Sequence, residues 1–236
     1  MFEHFFSPES VAVVGASREK GKVGHDILKN LINFGYKGKI FPVNPLAENI
    51  LGIKTYANLK SINEKIDLAV IVVSARQVLD VVNECVEKGT DSIIVISAGF
   101  KESGIEGAAI ERELYQKIKE HSIRMLGPNC LGLIDTRSSL NVSFAADMPA
   151  KGNIAFFSQS GAICTSILDW AASECIGFSK FISMGNKTDI DEVDLIKVMC
   201  EDSYTNVVLG YLEGVKNGIE FINAAKALTR EKPVIL

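Results

Sequence analysis

An α/β protein made of two successive doubly wound units is predicted by three observations in the 236-residue sequence. Short apolar runs alternate with amphipathic stretches, the mark of βαβ units and a parallel sheet. Small-residue turns follow the apolar runs. The alternation breaks once, at the polar stretch 135–153, and then restarts. In the first unit the strands are VAVVG (11–15), KIFPV (39–43), IDLAVIVV (66–73), DSIIVIS (91–97) and the short IRMLG (123–127). Between them, residues 24–34, 76–88 and 107–120 carry apolar side chains three and four apart, which predicts helices. Five strands joined by right-handed crossovers make a Rossmann-like domain over 1–134. Residues 135–152 lack periodicity and are expected to form a linker or extended arm. The unit expected over 153–236 then runs strand NIAFFS, helix 161–174, strand FSKFIS, helix 191–201, strand NVVLGYL, helix 217–229 and strand KPVIL. It reads as a three-layer α/β unit truncated at its C-terminus, in its fourth strand.

Composition narrows the function classes. Apolar residues make up 47% and charged residues 23%, ordinary for a globular protein. A net charge of -4 lacks the basic excess of a nucleic-acid binder, so no nucleic-acid partner is expected. No apolar run approaches the ~18 residues of a membrane span, and FEHFFSPES after Met1 has neither a basic nor an apolar signal region. A cytoplasmic location without membrane contact is expected. The five cysteines, Cys85, Cys130, Cys164, Cys175 and Cys200, are scattered and form no C-x-x-C pair. Free thiols and no metal site are expected.

The stretch SVAVVGASREKGKVGHDIL, residues 10–28, places a glycine turn after a strand, then a basic loop, then a helix. Unpaired N–H groups beside a positive helix end invite a phosphate. The dinucleotide fingerprint is not met: Ser17 replaces the second glycine, and the second strand ends in Val43-Asn44-Pro45 without a carboxylate for a ribose. A Walker loop is excluded too, since Gly15 to Gly21 is one residue too long and Lys22 precedes Val23. Arg18, Lys20 and Lys22 suit a ligand with several phosphates. A solvated basic loop that binds nothing is the other reading of this segment alone. Further small-residue turns end the other strands: Asn44-Pro45, Ser74-Ala75, Ser97-Ala98-Gly99-Phe100 and Gly127-Pro128-Asn129-Cys130. Each singly is a tight turn; together, on one sheet edge, they make a groove.

The second unit offers SQSGAICTSILDW, where Ser158 to Gly161 follow a strand and open a helix, a second anion cradle. The rival is a serine-hydrolase elbow with Ser160 as nucleophile. It fails because position 158 is serine rather than glycine and no histidine follows His121. Glu213 sits at a strand end, where a carboxylate is ordinarily solvent-facing. Asp191, Glu192 and Asp194 are expected to be first-turn helix acids that complement the dipole.

The segments VVGASREKGKVG, FPVNP, VVSAR, SAGFKESG, GPNCLG, FFSQSG, SMGNKTDID and YLEGV run in order over essentially the whole chain. In these the sequence resembles the NDP-forming acyl-CoA synthetases, closely the α subunits of ADP-forming acetate–CoA ligases, relatives of the succinyl-CoA synthetase α subunit. The resemblance implies a Rossmann-like CoA-binding domain followed by a flavodoxin-like, succinyl-CoA-synthetase-like domain. It implies coenzyme A held by Gly15, Ser17, Arg18, Lys22 and Val23, with the diphosphate near Ser17, Arg18 and Lys22. The adenosine end would lie along Val43, Asn44 and Pro45, and Ser74, Ser97, Ala98, Gly99 and Asn129 would complete the groove. Ser160 and Gly161 match the loop that holds phosphate, and Glu213 the glutamate that pairs with a phosphorylated histidine. Asn186, with Lys187 and Asp189, borders that pocket. The resemblance also implies the reaction acyl-CoA + ADP + phosphate ⇌ acid + CoA + ATP, through an acyl phosphate and a phosphohistidine. That histidine is expected beyond Leu236, since His4, His25 and His121 do not fill its place. ADP or ATP with magnesium would be held by an ATP-grasp β subunit or fused domain, and a hetero- or homo-oligomer is expected. The alternative is a non-catalytic CoA- or acyl-CoA-sensing domain of a regulatory protein or protein acetyltransferase.

Overall fold

The computed structural model describes residues 2–236. A short helix α1 (Glu3–Phe6) leads into β1 (Ser10–Val14), whose Val11, Ala12 and Val13 are fully buried. That burial on both faces is what a central parallel strand requires. Helix α2 (Val23–Asn33) and β2 (Lys39–Val43) follow, then a two-strand ribbon, β3 (Asn49–Ile50) and β4 (Ile53–Lys54). The unit continues through β5 (Leu68–Ile71), α3 (Ala75–Lys88), β6 (Ser92–Val95), α4 (Ile105–Glu120) and β7 (Arg124–Leu126). The parallel sheet has the order β2-β1-β5-β6-β7. The strand order switches sides at β1 while every strand stays parallel, so the loops after β1 and β5 diverge and leave a crevice at their carboxyl ends. Pro42, which cannot donate to a ladder, is tolerated because β2 is an edge strand.

The second sheet contains β8 (Gly132–Asp135), β9 (Leu140–Ser143), β10 (Ala150–Ser158), β11 (Gly177–Ser183), β12 (Val207–Tyr211) and β13 (Val234–Ile235). Its order is β13-β12-β10-β11-β8-β9, and α5 (Gly161–Ser173), α6 (Glu192–Glu201) and α7 (Gly218–Glu231) pack on it. Here the structure corrects the sequence-based linker. Residues 140–143 are a fully buried strand, paired antiparallel to β8, which in turn pairs antiparallel to β11. Strand β10 also starts at Ala150, before the expected position. The polar residues of this hairpin disguised it, since Asn141 and Ser143 are buried and bond to each other inside, though Asn141 Nδ2 has no partner among the described residues. Asn141 Oδ1 accepts hydrogen bonds from the Ser143 N–H and hydroxyl, at 3.1 and 2.6 Å. Asn30 of α2 donates to the carbonyls of Ser143 and Ala145, each at 2.9 Å.

The two sheets share one core. Ile27, Leu28 and Leu31 of α2 belong to the same buried cluster as Leu140 and Val142 of the hairpin and Phe157, Ile182 and Ile196 of the second unit. The loop after β11 is also laced to the first unit: the N–H groups of Asn186, Thr188 and Ile190 donate to the carbonyls of Pro128, Gly127 and Met125. Arg124 reaches Asp189 and Asp194, each at 2.8 Å. The relative placement of the units is therefore fixed by packing, and the two sheet edges face a common cleft.

Candidate functional site

The basic loop is built by close approach of main chain. Gly15 has φ +91°, and its N–H and that of Ala16 both donate to the Val43 carbonyl. At Gly24, in the first turn of α2, a Cβ would stand 2.1 Å from the Gly15 carbonyl oxygen, so only glycine lets the helix press on the turn. The Asn44 amide donates to the Ala16 carbonyl at 2.7 Å and accepts from Leu46 N–H at 2.8 Å, welding the turn after β2 to the loop. Ser17 Oγ accepts from the Glu19 N–H. The first N–H groups of α2, on Val23 and Gly24, have no acceptor among the described residues, as expected at a helix start.

A cavity of about 820 Å³ opens against this loop and runs between the two units. Of the residues predicted from sequence, it gathers Gly15, Ser17, Lys22, Val23, Ser74, Ser97, Ala98, Asn129 and, from across the cleft, Gly161. Phe144 from the hairpin, Gln159, Ala162 and Thr165 complete the far wall. The remaining predicted groove residues lie outside this wall. Arg18 is exposed and turns to the Leu46 carbonyl at 3.4 Å; Val43 is buried; Asn44 is spent on the loop; Pro45 is exposed. Gly99 donates its N–H to Glu102 Oε1 at 2.6 Å, so that donor is already used.

A second cavity, about 480 Å³, adjoins the first and is lined by Glu213, Gly214, Asn186, Lys187, Lys101 and Glu102 among others. Asn129 and Gln159 border both cavities, so the two hollows meet at these side chains. Ser160 lines neither cavity: its hydroxyl caps α5 by accepting the Ile163 N–H at 3.3 Å, and its own N–H goes to Ser158 Oγ. The open donors of this cradle are instead the N–H groups of Gly161 and Ala162, which have no acceptor among the described residues. A Cβ at Gly161 would meet nothing within 4 Å, so the position faces free space.

Asn186 is committed to the seam between units: its amide nitrogen donates to Glu102 and Glu111, and its oxygen accepts from Asn129. Burial alone would push the Glu102 carboxyl up; the bonds from Asn186 and from the Gly99 and Phe100 N–H groups overcome it and hold Glu102 below its ordinary 4.5. Three features escaped sequence reasoning. Gln159 Oε1 accepts the N–H groups of Glu213 at 2.7 Å and Gly214 at 3.1 Å, fixing the loop that carries the candidate carboxylate. Lys187, with φ +54°, buries its ammonium between Glu192 Oε2 at 2.7 Å and the Gly214 carbonyl at 2.6 Å. Glu192 Oε1 then takes the Lys216 N–H at 3.1 Å.

The expected acids stand at the start of α6, Glu192 and Asp194 in its first turn after the Asp191 cap, and the structure adds the burial of Glu192. Glu192 is fully buried and works as a strut, while Asp191 caps the helix through the N–H groups of Val193 and Asp194, and Asp194 Oδ2 accepts the Asp191 N–H in return. Asp194 belongs to the Arg124 bridge. No cluster of three or more His, Cys, Asp and Glu side chains able to hold a metal occurs among the described residues, and none of their helices is long and apolar enough to cross a membrane.

Comparison with known proteins bears on both units. A family described as CoA binding domain matches residues 9–136, and one described as succinyl-CoA ligase like flavodoxin domain matches residues 151–236. The chain is similar to acetate–CoA ligase (ADP-forming) I of Archaeoglobus fulgidus, with 46% identity over 99% of this chain and 34% of that protein. It is 42% identical to the acetate–CoA ligase (ADP-forming) II subunit alpha of Pyrococcus furiosus, over 100% of this chain and 51% of that one. Among solved structures, that of the dinucleotide forming acetyl-coenzyme A synthetase 1 of Ca. Korarchaeum cryptofilum, in complex with phosphate and ADP, superposes with a TM-score of 0.96. There the identity is 38%, over 100% of this chain and 51% of that one. The chain thus spans between a third and about half the length of these relatives.

Proposed function

Because the chain belongs to the CoA-binding-domain family and joins that domain to a succinyl-CoA-ligase-like flavodoxin domain, we propose that it forms the CoA- and phosphate-handling part of an ADP-forming acid–CoA ligase. One observation carries this reading: two adjoining cavities, one faced by a basic loop and free helix-start N–H groups, the other by a carboxylate, meet at Asn129 and Gln159. A thioester held along the first cavity would present its carbonyl carbon to a phosphate seated at the α5 start. The overall reaction interconverts acyl-CoA, phosphate and ADP with acid, CoA and ATP.

The roles of this chain's residues follow from their chemistry. Lys22 and the N–H groups of Val23 and Gly24 supply positive charge and donors for the diphosphate of CoA. The N–H groups of Gly161 and Ala162, at the positive end of α5, hold the attacking phosphate and stabilise negative charge on its oxygens. Glu213 orients and charges an imidazole that receives the phosphoryl group. That histidine, and the ATP-grasp subunit or fused domain holding ADP or ATP with magnesium, would lie outside residues 1–236. A CoA sensor would need the first cavity and would have no use for the second.

Two outcomes test this. Calorimetric titration of the chain should show CoA binding that Lys22→Ala weakens by about tenfold or more, the loss of one charge-assisted contact of ~1.5–3 kcal/mol. Arg18→Ala should weaken it less, since Arg18 faces Leu46. NAD binding as tightly as CoA would remove the ligand assignment. In the intact ligase, Glu213→Gln should slow histidine phosphorylation by about 100-fold or more, from the lower bound of the general acid–base range upward. Unchanged labelling would remove the role given to Glu213.

A further inference from the structure

The geometry points to Gln159 as a direct phosphate ligand that ties anion occupancy to the position of the Glu213 loop. This deepens the ligase reading and rests on it. The orientation of the Gln159 amide is dictated by its neighbours. Two main-chain donors, the N–H groups of Glu213 and Gly214, converge on one end of the side chain at 2.7 and 3.1 Å. Only the carbonyl oxygen can accept them, so Oε1 is fixed there and Nε2 faces the other way. The residue's main chain is held as well, its N–H donating to the Tyr211 carbonyl at 3.0 Å. The two Nε2 protons then have no acceptor among the described residues, although the side chain is half-buried.

Gln159 lines both cavities, and a pair of unused donors at their junction matches an oxyanion. Gly161 and Ala162, whose N–H groups are free, line the first cavity with it. Phosphate seated on the α5 start would therefore gain a neutral donor from this amide. The same amide holds the main chain of the carboxylate that must meet the phosphoryl acceptor. Filling one end of the amide polarises the other and tightens the bonds to Glu213 and Gly214. Gln159 thus senses phosphate and steadies the loop through a single planar group.

The test separates the two ends. Gln159→Glu keeps an acceptor for the Glu213 and Gly214 N–H groups but loses both donors and adds a repelling charge. Gln159→Leu loses both ends. In the intact ligase, Gln159→Glu should raise the KM for inorganic phosphate at least tenfold while amide exchange at Glu213 and Gly214 stays slow. Gln159→Leu should raise that KM and speed the exchange. Separately, titrating inorganic phosphate into the parent chain should shift the Gln159 side-chain NH2 resonances. If those resonances stay still as phosphate saturates the chain, or if Gln159→Glu keeps the parental KM, the inference is wrong whatever the turnover. If they shift but the intact protein shows no phosphate-dependent turnover, the anion contact stands and the ligase reading falls.

Discussion

Gly161→Leu should fold like the parent chain and lose measurable phosphate binding. The position lies at the first turn of α5, its φ is not in the left-handed region, and an added Cβ meets no atom within 4 Å. A side chain is therefore accepted without strain, and leucine is a better helix former than glycine. The isobutyl group must nonetheless go somewhere, and the open space at this residue is the cavity between the units. It would stand over the N–H groups of Gly161 and Ala162, replacing the anion's donors by hydrocarbon. Losing two charge-assisted hydrogen bonds at ~1.5–3 kcal/mol each implies a fall of at least about 100-fold in phosphate affinity. Calorimetry with phosphate, beside a thermal melt, checks both halves. A variant that binds phosphate as the parent does would show that the anion sits elsewhere.

Replacing Glu192 by alanine should cost about 3–5 kcal/mol of stability, the usual penalty for leaving one partner of a buried ion pair alone. Lys187 is nine-tenths or more buried and would keep only the Gly214 carbonyl. The Lys216 N–H would lose its acceptor too. The double replacement Lys187→Met, Glu192→Leu removes both charges and should recover most of that stability, while the loop over 213–216 keeps its Gln159 contacts and loses those to Lys187 and Glu192. The pair also sets a pH dependence. Burial alone would raise the Glu192 carboxyl, but the Lys187 ammonium and nearby N–H groups outweigh it, so the folded value lies below the ordinary 4.5. Ionised Glu192 therefore stabilises the fold in full above the unfolded carboxylate value, and that contribution disappears as pH falls through the lower, folded one. Urea midpoints from neutral pH down to about pH 3 should show the gap between parent and Glu192→Gln narrowing with acid. A gap that stayed constant would mean that the charge on Glu192 is not what holds the loop.

Legibility from sequence followed the strength of local signals. Buried parallel strands such as Leu68–Ile71 and Ser92–Val95 are continuous apolar runs, and amphipathic helices such as Ala75–Lys88 keep their period, so both were placed to within a few residues. The hairpin was lost because Leu140-Asn141-Val142-Ser143 alternates like an edge strand yet is buried on both faces. Two carbonyls at its end, those of Ser143 and Ala145, are satisfied by Asn30, more than a hundred positions away in the chain. Glu192 was placed correctly in the first turn of α6, but its burial was not legible, because only the left-handed Lys187 aims a counter-charge at it. Gln159 was missed because its meaning is tertiary. Once β10 and β12 are known to pair in parallel, with Ser158 opposite Tyr211, the residues just beyond them must adjoin. The glycine turns and the SQSG segment were legible because backbone cradles depend on small residues at fixed offsets from a strand end.

The undivided apolar layer beneath both sheets has a mechanical consequence. Prising the walls apart would bring Leu28, Val142 and Phe157 into water, at roughly 1.5–3 kcal/mol for each side chain, so the two halves cannot gape like a jaw. On the proposed reading, a long thioester would enter along the open rim of a bed that does not move.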